Sequence, residues 1–555
     1  MKAPRVTIAG GGIAGMTAAL HLAKRGCAVT LFEEKSMLGG NLASRGPHHG
    51  GALDVYPHMF QGWYDNFWTL IEDIGLKREE GFSPFDSAHQ LRKHEFPKFS
   101  VLTRPYSPRF ALKNLGSGVA PPLDMFLVGC ANLDLLAEIS QPTVRLMNMS
   151  LTGYLNTRLY MTETAIKAFE TYVSRVWAIP AYQISAADCR THSAYCYAAP
   201  EADAWLTTGS AAEAFIDRLE DGLKKAGVRI VLNTRIEAVK LKGERVHSIL
   251  LQGTRFDPRT YAWVKVGAAR AEEVQDLVLA VPPVTLAHLV RGGASGERVV
   301  DSIPSLAELL RLSAQNIPML HFCLNRKIDG IPADPVGLYD SKLNLAFTDI
   351  SQRWASSPQF QGRTVLAVSC SEPFLLSGPH PTDDGHQIMR ELADYLDFRP
   401  GAKWGASPDV DWSVTRYHAN DDAKLTVNAI GTDTWRPDAE SDEVNNLFFA
   451  GDVCNNPFGI TTVEAAVATG LQAAAAIVRR HHLGSPLEIK EPKTVSGDEY
   501  AALRLAWLPG AYAAKILSKV DHRIDPTRAS EVGEESLLRY MLTPGLPPRY
   551  RAHDE

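Results

Sequence analysis

Val6-Thr-Ile-Ala-Gly10-Gly11-Gly12-Ile13-Ala14-Gly15, continued by Met16 to Lys24 and then by Val29-Thr-Leu-Phe-Glu33, is the stretch whose reading decides the fold. A short apolar strand runs into Gly10, Gly12 and Gly15 at GxGxxG spacing, and apolar residues then recur at helical intervals. This is the pattern of a βαβ dinucleotide site. Gly10 makes the tight turn, Gly12 lets the backbone approach a pyrophosphate, and Gly15 lets the helix pack closely on the strands. The helix N-terminus offers unpaired N–H groups to the phosphates. Glu33 stands about 20 residues on, where an acid accepts hydrogen bonds from ribose hydroxyls. Glycine triads also occur in turns that bind nothing, but here strand, turn, helix, strand and acid fall in order. The motif leaves FAD and NAD both open.

The remaining composition sets bounds. At 555 residues the chain exceeds one compact core, so two connected domains and a small extension are expected. A net charge of −6 gives no basic field of the kind nucleic acid requires, and none is expected as a partner. No run approaches 18 uninterrupted apolar residues and the first strand begins within a few residues of Met1, which predicts a cytoplasmic protein without a signal peptide. The seven cysteines form no CxxC pair and read as buried free thiols. His48-His49 and His481-His482 do not read as zinc ligands, because adjacent histidines point apart and lack partners at ligand spacing; no metal is expected.

After Glu33 come Glu34, Lys35, Gly39, Gly40 and Asn41, either a second phosphate-side loop or a flexible surface turn. Leu53 to Leu76 holds Asp54, Pro57, His58, Met59, Phe60, Gly62, Tyr64 and Asn66, then a helix starting near Asp65-Asn66 with Phe67, Leu70, Ile71 and Ile74 on one face. A lone histidine such as His58 is more often structural than catalytic.

With these motifs the sequence resembles the FAD-dependent phytoene and ζ-carotene desaturases of plant and cyanobacterial type, within the wider flavin amine oxidase superfamily. The resemblance implies FAD. It also implies an α/β fold: a Rossmann-type FAD-binding domain of amine-oxidase type with an interleaved α+β substrate or cap domain. The expected division is 1–88 with 205–290 and 410–485 for FAD, 89–204 with 291–409 for the cap, and 486–555 as a C-terminal extension. In the family the His58 segment lies against the flavin ring, Ile236 holds the adenine through its backbone, and Asp452 hydrogen-bonds the ribityl and phosphate region.

The last of these residues belongs to a closing motif, Asn446-Leu-Phe-Phe-Ala-Gly451-Asp452-Val, followed by Thr461-Thr462-Val463-Glu464 and an Ala-rich helix to Arg480. A buried strand delivers Gly451-Asp452, and the helix aims its N-terminus at the same place. A βα unit closing the fold, with Asp452 as a cap, is the bland alternative. The expected cofactor contacts are therefore Gly10, Gly12, Ile13, Ala14, Gly15, Glu33, Glu34, Lys35, Gly40, Asn41, Pro57, His58, Met59, Ile236, Gly451, Asp452, Thr462 and Val463. No catalytic residue is assigned; His58 and Phe458 are position-based candidates for standing near the flavin.

Residues 90–205 alternate Pro-rich pieces with helices such as Thr162 to Val176. Phe110, Met125, Phe126, Tyr160, Trp177 and Tyr182 are candidates to line a lipophilic tunnel there, though a large domain needs most such side chains for its core. From Thr208 the α/β pattern returns: a helix from Ala211 to Lys225, then strands near Val228–Leu232, Asn233–Val239, Val246–Leu251 and Val274–Val281. A further sheet with a covering helix is expected from Pro318–Leu324, Leu343–Phe347, Val365–Ser369 and Asp384–Leu396. Flavin amine oxidases usually carry a lysine in the stretch corresponding to Ser313–Phe322; this chain has none there. Glu499 to Leu517 reads as two short helices broken at Pro509-Gly510 and packed on the body, or as an amphipathic piece touching a membrane.

These features predict an FAD-dependent oxidoreductase that desaturates a carbon–carbon bond of a lipophilic isoprenoid or polyene-like substrate by hydride transfer to flavin N5. The acceptor is a quinone or O2, and peripheral membrane contact is possible. An amine or amino-acid oxidase and a non-catalytic flavin-binding assembly protein are the alternatives.

Overall fold

The computed structural model describes residues 3–45, 53–105, 110–199, 204–257, 262–292, 299, 304–312, 314–354, 360–431 and 433–524. His48-His49 and the Pro- and Arg-rich end from Pro544 to Glu555 lie outside the described residues.

Five strands drawn from three distant parts of the chain form one parallel sheet, in the order Arg229–Val231, Ala28–Phe32, Arg5–Ala9, Asp276–Leu279, Leu447–Phe449. Their near-continuous apolar runs suit strands covered on both faces: Val6, Ile8, Leu31, Leu277, Val278 and Phe448 are buried. The opening helix Ile13–Lys24 packs on the closing helix Val463–Arg480. Small side chains permit this close approach; a Cβ at Gly470 would overlap the Ala14 carbonyl. The result is the α/β, Rossmann-type architecture expected from the sequence.

A second, seven-stranded sheet runs Arg416–His418, Met319–Leu324, Thr364–Cys370, Leu345–Asp349, Val336–Leu338, Ser87–Leu91, Phe99–Thr103. Its pairings are antiparallel except that of Val336–Leu338 with Ser87–Leu91. Helix Pro381–Leu392 covers one face through Ile388, Met389 and Leu392 against Phe322, Leu366 and Val368. Helices Pro122–Ala137, Leu151–Thr157, Glu163–Trp177 and Ala186–Ala198 form the rest of this half. Ser150, Thr162 and Ser185 cap the last three, each hydroxyl accepting a backbone N–H of the first turn.

Three expectations need correction. The stretch 90–205, read from sequence as Pro-rich pieces alternating with helices, also supplies a strand, Phe99–Thr103, to the second sheet. An unread strand, Ala262–Glu273, completes an antiparallel three-stranded sheet with Thr234–Leu241 and Val246–Asp257, while Asp276–Leu279 belongs to the parallel sheet. Residues 265–271 of that strand are all exposed, so the strand shows no apolar alternation. Finally, Gly497–Ile524 is one continuous helix running through Pro509. Proline removes one hydrogen bond, but Pro509 and Gly510 face outward, where water serves the freed carbonyl. Anchors hold the helix on both sides of that point: Arg504 pairs with Asp134 at 2.6 Å and Glu138 at 2.8 Å, and Ser518 donates to Asp124 at 2.8 Å.

Candidate functional site

The glycine turn is built by crowding. Gly10 has φ +107, its N–H donates to Phe32 O at 2.8 Å, and a Cβ there would overlap the Ala280 carbonyl. A Cβ at Gly15 would overlap the Gly10 carbonyl. Gly12 differs: its φ of −71 suits any residue, and the nearest atom a Cβ would meet is the Gly40 Cα at 3.9 Å. Nothing in the protein forbids a side chain at Gly12, and the open side belongs to a cavity. The helix that starts there has no side-chain cap and no acid in its first turn, so its first N–H groups are left to an anion. Gly39 N–H donates to Gly11 O at 2.8 Å, which brings Gly40 and Asn41 beside the same opening.

Glu33 is buried, and its carboxylate accepts from Gly11 N at 2.7 Å and Lys35 N at 2.9 Å while burial pushes its pKa up. Glu34 pairs with Arg235 at 3.2 Å and Lys35 with Asp422 at 3.3 Å. A β-bulge falls between Ile236 and Ala238, a local irregularity that re-aims the strand beside the cavity wall. At the far end of the sheet Gly451 takes φ +134. Asp452 accepts from Thr426 Oγ1 at 3.1 Å, and burial raises its pKa to about 6.

Thr462 caps the closing helix by accepting from Ala465 N at 3.1 Å. Glu464, in the first turn of that helix, is fully buried and accepts from Asn66 N, Asn66 Nδ2 and Phe67 N at 2.7–2.8 Å. This clamp, which sequence reasoning left unpaired, fixes the helix N-terminus against helix Asp65–Asp73; the two residues lie 398 positions apart. Burial lowers the His58 pKa to about 4, so the ring is neutral at ordinary pH. Its Nδ1 lies 3.0 Å from Tyr56 O, a pure acceptor, which puts the proton on Nδ1 and leaves Nε2 bare.

One cavity of about 550 Å³ joins these parts. Of the expected contacts Gly10, Gly12, Ile13, Ala14, Glu33, Glu34, Lys35, Gly40, Asn41, Pro57, His58, Met59, Ile236, Gly451, Asp452, Thr462 and Val463 all line it; Gly15 packs behind the turn instead. The cavity continues under the second sheet past Met319, Val336, Ala346, Phe347 and Ala367 to Arg175 and Trp177. Phe458 is not at the cavity: it is core, its ring against Trp63 and its carbonyl accepting from Tyr195 at 2.8 Å. Of the six tunnel candidates Trp177 alone lines the cavity. Met125 and Phe126 pack among cap helices, Tyr160 donates to Asp134, Tyr182 is exposed, and Phe110 lies near Arg104.

All seven cysteines are free and buried. Among the described residues there is no cluster of His, Cys, Asp or Glu that would hold a metal, and no helix long and apolar enough to cross a membrane. The open face of Gly12, the uncapped helix start and the second helix end at Thr462 form a donor set that fits a dinucleotide pyrophosphate at one end and a polarisable ring at the other.

Comparison with known proteins agrees with this geometry. ζ-Carotene desaturase from Synechocystis sp. is 38% identical over 74 residues, 13% of this chain and 15% of that protein. 15-cis-phytoene desaturase from Synechococcus elongatus is 33% identical over 73 residues, again 13% and 15%. The matched stretch thus spans less than a sixth of either relative. Among solved structures, an oxidoreductase from Methanosarcina mazei superposes with a TM-score of 0.59 at 13% identity, covering 86% of this chain and 100% of that one. Putrescine oxidase bound to putrescine gives 0.57 at 16%, covering 86% and 99%. These likenesses speak for the fold. The profile of the flavin containing amine oxidoreductases matches residues 13–478, and the chain belongs to that family of FAD-dependent oxidoreductases.

Proposed function

We propose that the protein desaturates a carbon–carbon bond of a lipophilic, isoprenoid or polyene-like substrate. In this reading segments 1–88, 205–290 and 410–485 hold FAD, while 89–204 and 291–409 enclose the substrate. When bound, the flavin ring supplies the oxidation by accepting a hydride at N5. The first-turn N–H groups at Gly12–Ala14 hold the pyrophosphate, Asp452 the polar chain, and the helix start at Thr462-Val463 brings positive potential to the ring. Neutral His58 offers Nε2 to a substrate proton.

The observation that carries the reading is the wall of the cavity beyond His58. Met319, Val336, Ala346, Phe347 and Ala367 are apolar, and Asp86, the one carboxylate on that side among the described residues, is taken by Arg104 at 2.9 Å. An ammonium group entering there finds no free acid and meets the Arg175 cation, which counts against amine oxidation. The partial likeness to ζ-carotene and phytoene desaturases points the same way.

Anaerobic titration of the flavin-loaded protein with polyenes, sterol precursors and amines tests this. Polyene or isoprenoid compounds are expected to bleach the visible band, and a quinone is expected to restore it faster than air. Bleaching by amines alone overturns the reading.

A lipid surface is the proposed docking partner, since a lipophilic substrate resides there. From Ala502 to Leu517 every outward position of the C-terminal helix is uncharged, and Leu503, Leu505, Tyr512, Ile516 and Leu517 are 40–80% exposed or close to it, with Lys515 and Lys519 alongside. Wild-type protein is expected to float with phosphatidylglycerol-containing vesicles and Leu505→Glu/Leu517→Glu to remain in solution. Equal flotation of the two removes this face from membrane contact.

A further inference from the structure

The cap half of the cavity holds a cation that the desaturation of a pure hydrocarbon has no use for. Arg175, near the end of helix Glu163–Trp177, reaches the cavity wall and donates Nη1–H to Gln90 Oε1 and Nη2–H to Leu338 O. Its Nε is buried with no hydrogen-bond partner. Among the described residues no carboxylate pairs with it: Asp340, whose charge reaches it, is shared by Arg92 at 3.8 Å and Lys167 at 3.6 Å. Burial lowers its pKa to about 9, so it remains charged at neutral pH. A buried, uncompensated guanidinium opposes folding unless something else pairs with it.

The surroundings are shaped to admit it. Gly337 sits in strand Val336–Leu338, and a Cβ there would overlap the Arg175 guanidinium. Gly337 is also the register partner of Gln90, so both residues under the cation are set by one strand pairing. The same row continues across the sheet through Ala346 and Ser369 to Met319, five adjacent strands in register, and all five residues line the cavity. Met319 packs in the cluster that contains Tyr56, two residues before His58. At about 4.8 Å per strand, the four steps from Met319 to Gln90 make a slot about 19 Å long. Its floor of small side chains ends at the arginine.

We propose that Arg175, with Gln90 beneath it, anchors a carboxylate at one end of the substrate, which is therefore an elongated apolar acid held with its reacting carbons toward the Met319 end. The inference rests on the lipophilic-substrate reading above and narrows it. Arg175 acts here as a binding and positioning residue, since its guanidinium fork suits carboxylate recognition.

All-trans retinoic acid and retinol, alike in skeleton and differing in the terminal group, serve as probes, with binding to the flavin-loaded protein read by equilibrium dialysis. The acid is expected to bind at least about tenfold tighter than the alcohol, as charge-assisted pairing allows. Arg175→Gln is expected to remove that preference while leaving retinol binding unchanged, and to melt no lower than wild type without ligand, because an unpaired buried charge has been deleted. Gly337→Ala keeps the arginine but displaces it, and is expected to lose the same preference; it decides the matter if Arg175→Gln proves insoluble. Equal binding of acid and alcohol to the wild type, or an equal loss of both in the variants, overturns the anchor and leaves the lipophilic reading standing. Binding of neither probe overturns both.

Discussion

Gly12→Val is expected to fold, melt like the flavin-stripped wild type and purify colourless, whereas Gly15→Val is expected not to fold. The two glycines stand three residues apart in one motif, but the atoms around them set opposite outcomes. Around Gly15 the added Cβ meets the Gly10 carbonyl, so the helix would have to leave the sheet. Around Gly12 the φ of −71 is ordinary, the nearest atom lies at 3.9 Å, and a side chain would project into the cavity where the pyrophosphate belongs. Substituting glycine at a φ that any residue adopts also restricts the unfolded chain, which favours the fold slightly. FAD affinity is expected to fall by about a hundredfold or more, equal to about 2.7 kcal/mol. The ratio of absorbance near 450 nm to that at 280 nm, with a melting curve of the stripped protein, checks both halves. A yellow Gly12→Val would show that the opening beside Gly12 is not where the cofactor lies.

Arg504→Leu is expected to destabilise the protein by about 3–5 kcal/mol, the usual loss when one member of a buried ion network is removed. Asp134 and Glu138 are almost fully buried and are balanced by two arginines, Arg158 from the cap at 3.0 Å and Arg504 from the C-terminal helix. Taking Arg504 away leaves two buried carboxylates with Arg158 as their ion-pair partner. Arg399→Leu is the control: its partner Asp409 lies at 2.7 Å, but Arg399 is 75% exposed, and water screens an exposed pair of this kind so that its loss is expected to change stability little. Urea titration followed by tryptophan fluorescence distinguishes them, since Trp507 and Trp177 both belong to this half. If the two variants are equally mild, the helix Gly497–Ile524 is not held as the structure has it. Asp134→Asn added to Arg504→Leu is expected to restore part of the loss by rebalancing the charge.

The parts of the site that could be read from sequence are those where one residue type answers one local constraint. Gly10 must take a positive φ, Thr462 must cap a helix, and Glu33 must follow its strand; each requirement is met within a few neighbours. The slot under the second sheet is different, because small residues from strands far apart in sequence line it. Ala346, Ala367 and Gly337 carry no chemical mark, and only strand register brings them into one floor. Large aromatic side chains mark filled space, as Tyr160 does in the core, while the cavity lies where side chains leave it open. Pro509 misled for a related reason. Propensity reads it as a break, but buried contacts on either side carry the helix through. In sequence Arg175 is one arginine of a helix among others, and only the assembled walls show that among the described residues no carboxylate pairs with it.

The parallel sheet has one more consequence, for synthesis. Its central strand, Arg5–Ala9, is made long before one neighbour, Asp276–Leu279, and longer still before the sheet's far edge, Leu447–Phe449. At roughly 5–20 residues per second, the nascent Gly10 turn waits tens of seconds on the ribosome before its last partners emerge. Through that interval the apolar opening helix has no closing helix to cover it, so a nascent chain stalled before residue 447 is a natural client for chaperones. A messenger truncated before that codon would yield no pigmented fragment.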